Sequence, residues 1–169
     1  MFGCISKRVL SKVDDSMPIF DLKNYTGYAK ITSVYDGDTF NAVILLHGRK
    51  LKFRFRTLGY DAPEMKPSLG SAGRNEYIER AKLARDVFKE ECGFDDRALY
   101  RPWNPLMCHY KVNGLVWIAC EKNDKYGRPL VTVYRNRGDR VSINDRMITY
   151  GIVNVYDGRK KKEFITTKL

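Results

Sequence analysis

Residues 34–64 read VYDGDTFNAVILLHGRKLKFRFRTLGYDAPE, and this stretch decides the fold. Asp36-Gly37-Asp38-Thr39 sits where one apolar run turns into the next, and Asp61-Ala62-Pro63-Glu64 where the third run stops. Between them, Leu51, Phe53, Phe55 and Thr57 alternate with Lys52, Arg54, Arg56 and Leu58, the two-residue period of a strand with two unlike faces. Antiparallel pairing of such runs brings both acidic ends to one rim of a sheet. Carboxylates and an arginine converging there suggest a hard-cation site facing a phosphate.

Working outward, residues 25–35 form a first strand, with Tyr28, Ile31 and Val34 apolar, and 39–46 a second, rich in β-formers. His47-Gly48-Arg49 supplies the hairpin turn into the third strand. A Pro- and Gly-containing loop at 65–71 precedes a helix from Asn75 to Cys92, closed by Gly93, with Tyr77, Ala81, Ala84 and Phe88 on the face that packs. Residues 94–111 read as an irregular insertion, 112–120 as a strand interrupted at Gly114, and 130–135 as a fifth strand. Asn144 is expected to N-cap a short helix ending at Gly151, with 152–156 extended beyond it.

Residues 1–24, of mixed charge and without clear periodicity, read as an arm. Residues 25–157 read as one domain, and 158–169 as a basic tail around Arg159-Lys160-Lys161-Lys162, either a solvated end or a phosphate-tracking or nuclear-import patch. Five short strands with a helix after the third predict an α+β, mainly β architecture: an OB-type barrel with two to three packing helices.

Charge narrows the partner. Against 20 acidic residues stand 31 Lys and Arg, a net +11, which favours a polyanion such as nucleic acid or an anionic membrane surface. Lys7, Arg8 and Lys12 interrupt the start before an apolar region forms, and no run has the length of a membrane span. An intracellular setting, in cytoplasm, nucleus or virion, is therefore expected. Cys4, Cys92, Cys108 and Cys120 show no CxxC spacing and read as reduced thiols. A zinc site from Cys92, Cys108, His109 and Cys120 is disfavoured by the adjacency of Cys108 and His109.

Phosphodiester hydrolysis needs charge neutralised on the phosphoryl oxygens and a deprotonated water. Carboxylates that hold Ca²⁺ or Mg²⁺, guanidinium forks and one carboxylate kept off the metal meet those needs. Asp38 and Asp61 can supply metal oxygens, Glu64 the base, and Arg56 and Arg128 the phosphate clamps. Taken singly, each is better explained as a turn residue or a solvated arginine, and only their joint appearance in this order favours the site. An EF-hand beginning at Asp36 is excluded, because Phe40 stands where an oxygen ligand is needed and Asn41 where glycine is needed.

Together, Val34–Thr39, Phe55-Arg56 through Asp61-Ala62-Pro63-Glu64, and Asp124-Lys125-Tyr126-Gly127-Arg128 resemble the three signature motifs of the staphylococcal nuclease (thermonuclease) family, in order, and Ile143 to Gly151 resembles the helix that follows. The resemblance runs from about residue 27 to 156. It implies that Asp38, Asp61 and the Ala62 carbonyl bind Ca²⁺, with Mg²⁺ or another divalent cation as a substitute, and that Asp36 supports the metal site from behind. It assigns Glu64 as general base and Arg56 and Arg128 as phosphate contacts, with Lys125, Tyr126 and Tyr156 lining a nucleotide pocket. The implied reaction cleaves the 5′ P–O bond of DNA, and of RNA as well, leaving 3′-phosphates. The sequence departs from the family in Ala62, where threonine is usual, in Pro129 after Arg128, and in the length of the 94–111 segment. A non-catalytic nucleic-acid or protein-binding module of the same fold is the competing reading. A basic coat protein is a third, opposed by acids that repel phosphate unless a metal intervenes.

Overall fold

The computed structural model describes residues 2–69, 73–96 and 113–156. Most of the 94–111 segment, Cys108, His109 and the 158–169 tail lie outside the described residues. The chain forms α1 (Phe2–Leu10), β1 (Thr26–Val34), β2 (Thr39–Leu46), β3 (Arg49–Thr57), β4 (Tyr60–Asp61), α2 (Arg74–Glu91), β5 (Leu115–Asn123), β6 (Pro129–Tyr134), α3 (Ile143–Thr149) and β7 (Asn154–Val155). Five strands close a barrel in the order β1-β2-β3-β6-β5, and β4 pairs with β7 in a two-stranded ribbon beside it. This is the expected α+β, OB-type barrel with few packing helices. No described helix is long and apolar enough to cross a membrane.

Local chemistry explains the hairpin at the centre. Leu46 pairs with Arg49, leaving a two-residue turn in which His47 (φ 48°) and Gly48 (φ 74°) both take the left-handed conformation. Two positive φ values in succession match the right-handed twist of the strands they join. From that turn the β2–β3 ladder runs to Thr39 opposite Arg56, carrying both ends to the rim where Asp38 begins. Closure comes from an antiparallel β1–β5 pairing and a short parallel one, Arg56 to Leu130 and Thr57 to Val131, between β3 and β6.

The core follows the alternation. Phe40, Phe55, Ile31, Ile44, Ile118, Val131 and Val133 are buried within the barrel, and α2 closes one end with Ala81, Ala84 and Phe88. The Phe40 ring packs against Phe55 at 5.6 Å and Phe88 at 5.5 Å, tying the helix to β2 and β3. Gly37 has a packing reason: a Cβ there would stand 2.9 Å from the Cβ atoms of both Ala62 and Ala84. Only a glycine lets the Asp36–Thr39 turn lie between α2 and the segment after β4. The Tyr60 hydroxyl, fully buried, donates to the Gly37 carbonyl at 2.7 Å and fixes the turn from below.

Three expectations need correction. The cap of α3 is Ser142, whose hydroxyl accepts from the Asp145 N–H while the Asp145 side chain accepts from the Ser142 N–H, a reciprocal capping box. Asn144 sits inside that helix instead, buried. Its Oδ1 accepts from Val133 N–H at 2.9 Å and its Nδ2 donates to the carbonyls of Leu58 at 2.8 Å and Val131 at 3.0 Å, so it bolts α3 to β6 and to the end of β3. The N-terminal stretch read as aperiodic contains α1, and Leu22 belongs to the core, so packing begins ahead of Tyr25. The β4–β7 ribbon was not foreseen. Cys92 and Cys120 are free and buried, and burial pushes the Cys120 thiol up to about 12 and Cys92 further, so both stay protonated.

Removing the Asn144 side chain leaves the Val133 N–H and the Leu58 carbonyl buried without that partner. Asn144→Ala is expected to destabilise by about 2–4 kcal/mol, read as a fall in the urea midpoint with unchanged slope. Asn136→Ala, in an exposed turn, should change stability by less than about 0.5 kcal/mol.

Candidate functional site

The turn before β2 builds the first half of the site. Asp36 Oδ1 accepts from the N–H groups of Asp38 at 3.0 Å and Thr39 at 2.7 Å, the aspartate-stabilised turn that this residue type favours. That geometry directs the Asp38 side chain to the barrel rim, where it is almost wholly buried, 3% exposed. Asp38 Oδ1 accepts from the Thr39 hydroxyl and from Arg56 NH1, both at 2.8 Å, and Oδ2 accepts from the Ala62 N–H at 2.9 Å.

Arg56 joins the second half. Its NH2 donates to Asp61 Oδ1 at 2.5 Å, so one guanidinium holds carboxylates that arrive from β2 and β4. Asp61 reaches this point because β4 breaks from the barrel at Gly59 (φ 86°) and pairs with β7 instead. Glu64 follows two residues after Ala62 and is exposed, while Ala62 is buried.

Arg128 approaches from the β5–β6 hairpin. Asp124 shapes that hairpin: Oδ1 accepts the N–H groups of Tyr126 and Arg128 at 2.9 Å, and Oδ2 takes Arg128 Nε and NH2 at 2.7 Å. Arg128 NH1 reaches the Thr39 hydroxyl at 3.5 Å, the same hydroxyl that donates to Asp38. Thr39 therefore links the two arginine centres. The Tyr126 ring is 72% exposed, with Lys125 Nζ 5.0 Å and the Arg128 guanidinium 5.5 Å from its centroid. Beside it lies a cleft of about 510 Å³ lined by Phe53, Arg54, Tyr126, Gly127, Arg128 and Pro129.

The structure thus brings Asp36, Asp38, Arg56, Asp61 and Ala62 into one cluster and sets Arg128 at its edge. Lys125 stands over Tyr126 without lining the cleft, and Tyr156 lies at the ribbon, its N–H on the Gly59 carbonyl at 3.0 Å. Sequence reasoning missed Thr39, Tyr60, Phe53 and Arg54 as contributors, and gave Asp124 no role. Asp124 was recoverable, since an aspartate two residues before one turn N–H and four before an arginine is a readable pattern. The others depend on pairing across the barrel.

Electrostatics follow from burial. Desolvation pushes the Asp38 carboxyl up most, the Asp36 carboxylate adds to it, and Arg56, the Ala62 N–H and Thr39 pull back; the balance leaves it at about 7. Burial pulls Arg56 down, but Asp38 and then Asp61 outweigh it, so the guanidinium is held more firmly charged than usual. Burial also pushes Asp124 up, and the N–H groups and guanidinium of Arg128 with the Tyr126 N–H more than reverse this, leaving it below the usual range.

Carboxylate and carbonyl oxygens are the donor types that a hard cation takes. Three hydrogen bonds use three of the roughly four lone-pair positions of the Asp38 carboxylate, so one remains on Oδ2. Three carboxylates gather around the single guanidinium of Arg56, and a desolvated cluster with excess negative charge favours a cation. Among the described residues no group of three or more His, Cys, Asp or Glu is arranged around one metal position. Two carboxylates with a main-chain carbonyl is a donor count that leaves places for water and substrate oxygens. No protein-family model matches the chain, and no curated protein sequence matches it.

An Asp38 raised from 3.8 to about 7 makes the folded chain bind a proton more tightly than the unfolded one. That contribution is complete below about pH 4 and is lost as pH rises through about 7. In chelator, unfolding free energy should therefore fall over this window, while Asp38→Asn, which also takes from buried Arg56 one of its two carboxylate partners, should be less stable and lack the slope. Parallel pH profiles for the two proteins would show Asp38 to titrate normally.

Proposed function

We propose that this chain is a divalent-cation-dependent phosphodiesterase of the thermonuclease type, acting on DNA and on RNA. The observation that carries the reading is the convergence of Asp38 and Asp61 on Arg56, with Arg128 joined to them through Thr39. Asp38, Asp61 and the Ala62 carbonyl would hold Ca²⁺ or Mg²⁺. When bound, the cation polarises the phosphoryl group and offsets the charge that develops on its oxygens.

The side chains supply the rest. Arg56 and Arg128 fork onto phosphate oxygens, and each is pre-aligned by a carboxylate partner rather than left to find its rotamer. Arg56 exchanges part of its carboxylate contact for phosphate once those carboxylates have another positive partner. Glu64, exposed next to the buried cluster, takes the proton from the attacking water. The exposed Tyr126 ring gives a flat surface for the neighbouring base, and the cleft beside it accommodates the strand.

One observation favours the second reading, a non-catalytic binding module. Arg56 and Arg128 are both engaged by carboxylates, so phosphate must compete for them. Activity separates the two. Cleavage of single-stranded DNA should require Ca²⁺ or Mg²⁺ and stop in chelator. Glu64→Gln should lower kcat by about 10²–10⁴-fold and Arg56→Ala by about 10²–10³-fold. Undiminished cutting by both variants removes the site assignment, and strand binding without cutting in any divalent ion establishes the module.

A further inference from the structure

Across the outside of the barrel runs a row of large side chains that the proposed site does not use. Tyr28 on β1 pairs with Trp117 on β5, and Trp117 pairs with Tyr134 on β6. Ala29 pairs with Ile44, so Leu45 continues the row on β2, and Leu45 pairs with Lys50 on β3. Alternation turns all five outward, since Ala29, Ile44, Val116 and Val133 beside them are buried in the barrel. Tyr28 is 50% exposed and Leu45 63%. The Tyr28 and Trp117 rings meet edge to face, centroids 5.0 Å apart, and Arg137 lies over the Trp117 ring at 5.3 Å.

The five strands close on themselves, so the row curves around the barrel, and its three rings on β6, β5 and β1 span about 10 Å at a strand spacing of about 4.8 Å. Lys50 sits at one end and Arg137 over the middle ring, and none of the six residues is acidic. Cross-strand aromatic pairs stabilise a sheet on their own. That accounts for the contact between Tyr28 and Trp117, but not for the exposure of Tyr28 and Leu45 within a row that carries cations and no carboxylate.

We propose that this row is a platform for single-stranded nucleic acid, on which bases stack while Arg137 and Lys50 meet the phosphates. The proposal rests on the nucleic-acid reading above and deepens it by naming the strand state and a second contact surface. Stacking needs an exposed base face, which a single strand offers and a duplex keeps inside its own stack. Oligonucleotides on OB-type barrels commonly lie over the second and third strands; this row is centred on β1, β5 and β6. β6 leads from Pro129, next to Arg128, to Tyr134, about 17 Å at the rise of an extended strand. One single strand of moderate length therefore reaches both surfaces.

The test measures binding in chelator at one fixed salt concentration, where cleavage does not intervene. Labelled probes are a mixed-sequence single strand, an abasic strand of equal length and a duplex. The native chain should bind the base-bearing strand about tenfold more tightly than the abasic one. Tyr28→Ser should lose most of that preference, Arg137→Glu should weaken both strands, and Trp117→Phe, which keeps a stacking ring, should retain it. Circular dichroism confirms that each variant is folded. Equal affinity of the native chain for base-bearing and abasic strands overturns the proposal, as does an unchanged preference in Tyr28→Ser. Failure to cleave in any divalent ion, with the base preference intact, ends the enzyme reading and leaves the platform standing.

Discussion

One guanidinium holds the rim of this barrel together. Arg56 joins Asp38, on the turn before β2, to Asp61, on a strand that has left the barrel. Its side chain is only 12% exposed and the two carboxylates 3% and 5%. Breaking such a buried pair by removing one partner strands the other charge in a low-dielectric place, which typically costs about 3–5 kcal/mol. The arrangement persists because the backbone around it is already fixed. The Ala62 N–H takes the free side of Asp38, the Asp36 side chain shapes the turn, and Tyr60 anchors Gly37 from within the core.

The rest of the fold is what puts these groups within reach. β2 and β3 pair over their whole length, and the positive-φ turn at His47-Gly48 sets a register that places Thr39 opposite Arg56. The parallel contact of β3 with β6 brings the Asp124–Arg128 hairpin to the same rim. Gly37 allows α2 and the segment after β4 to close on the turn, so the helix supports the acidic end from outside while contributing no ligand. Asn144 then locks α3 to the strand ends of β3 and β6. Burial makes Asp38 costly to ionise, and the proposed cation would relieve that strain.

Much of this was legible in the sequence because it is local. The alternation of residues 51–58, the bounds of β2, the position of the hairpin turn and the helical stripe of Ala81, Ala84 and Phe88 are set by neighbours in the chain. Antiparallel pairing put the two acidic ends at one rim, but Asp61 reaches Arg56 only because β4 leaves the barrel at Gly59. What sequence did not disclose depends on contacts between distant segments. Two residues of β4 have no periodicity to read, and their partner lies nearly a hundred residues on. The reading put the cap at Asn144, a residue type that caps as well as Ser142 does, and the deciding fact is that Asn144 finds three backbone partners across the barrel. Thr39 looked like a strand residue, and its place between Asp38 and Arg128 exists only once β6 is docked.

The outer row of rings follows the same logic, since Tyr28, Trp117 and Tyr134 are far apart in sequence and become neighbours through strand register. The central claim is that the excess negative charge at the rim serves as a cation site. Isothermal titration with Ca²⁺ tests this without any substrate. One ion per chain is expected, with the heat abolished in Asp61→Asn and the fold retained. Binding of Ca²⁺ by Asp61→Asn as tightly as by the native chain, or no binding by the native chain, would contradict the account.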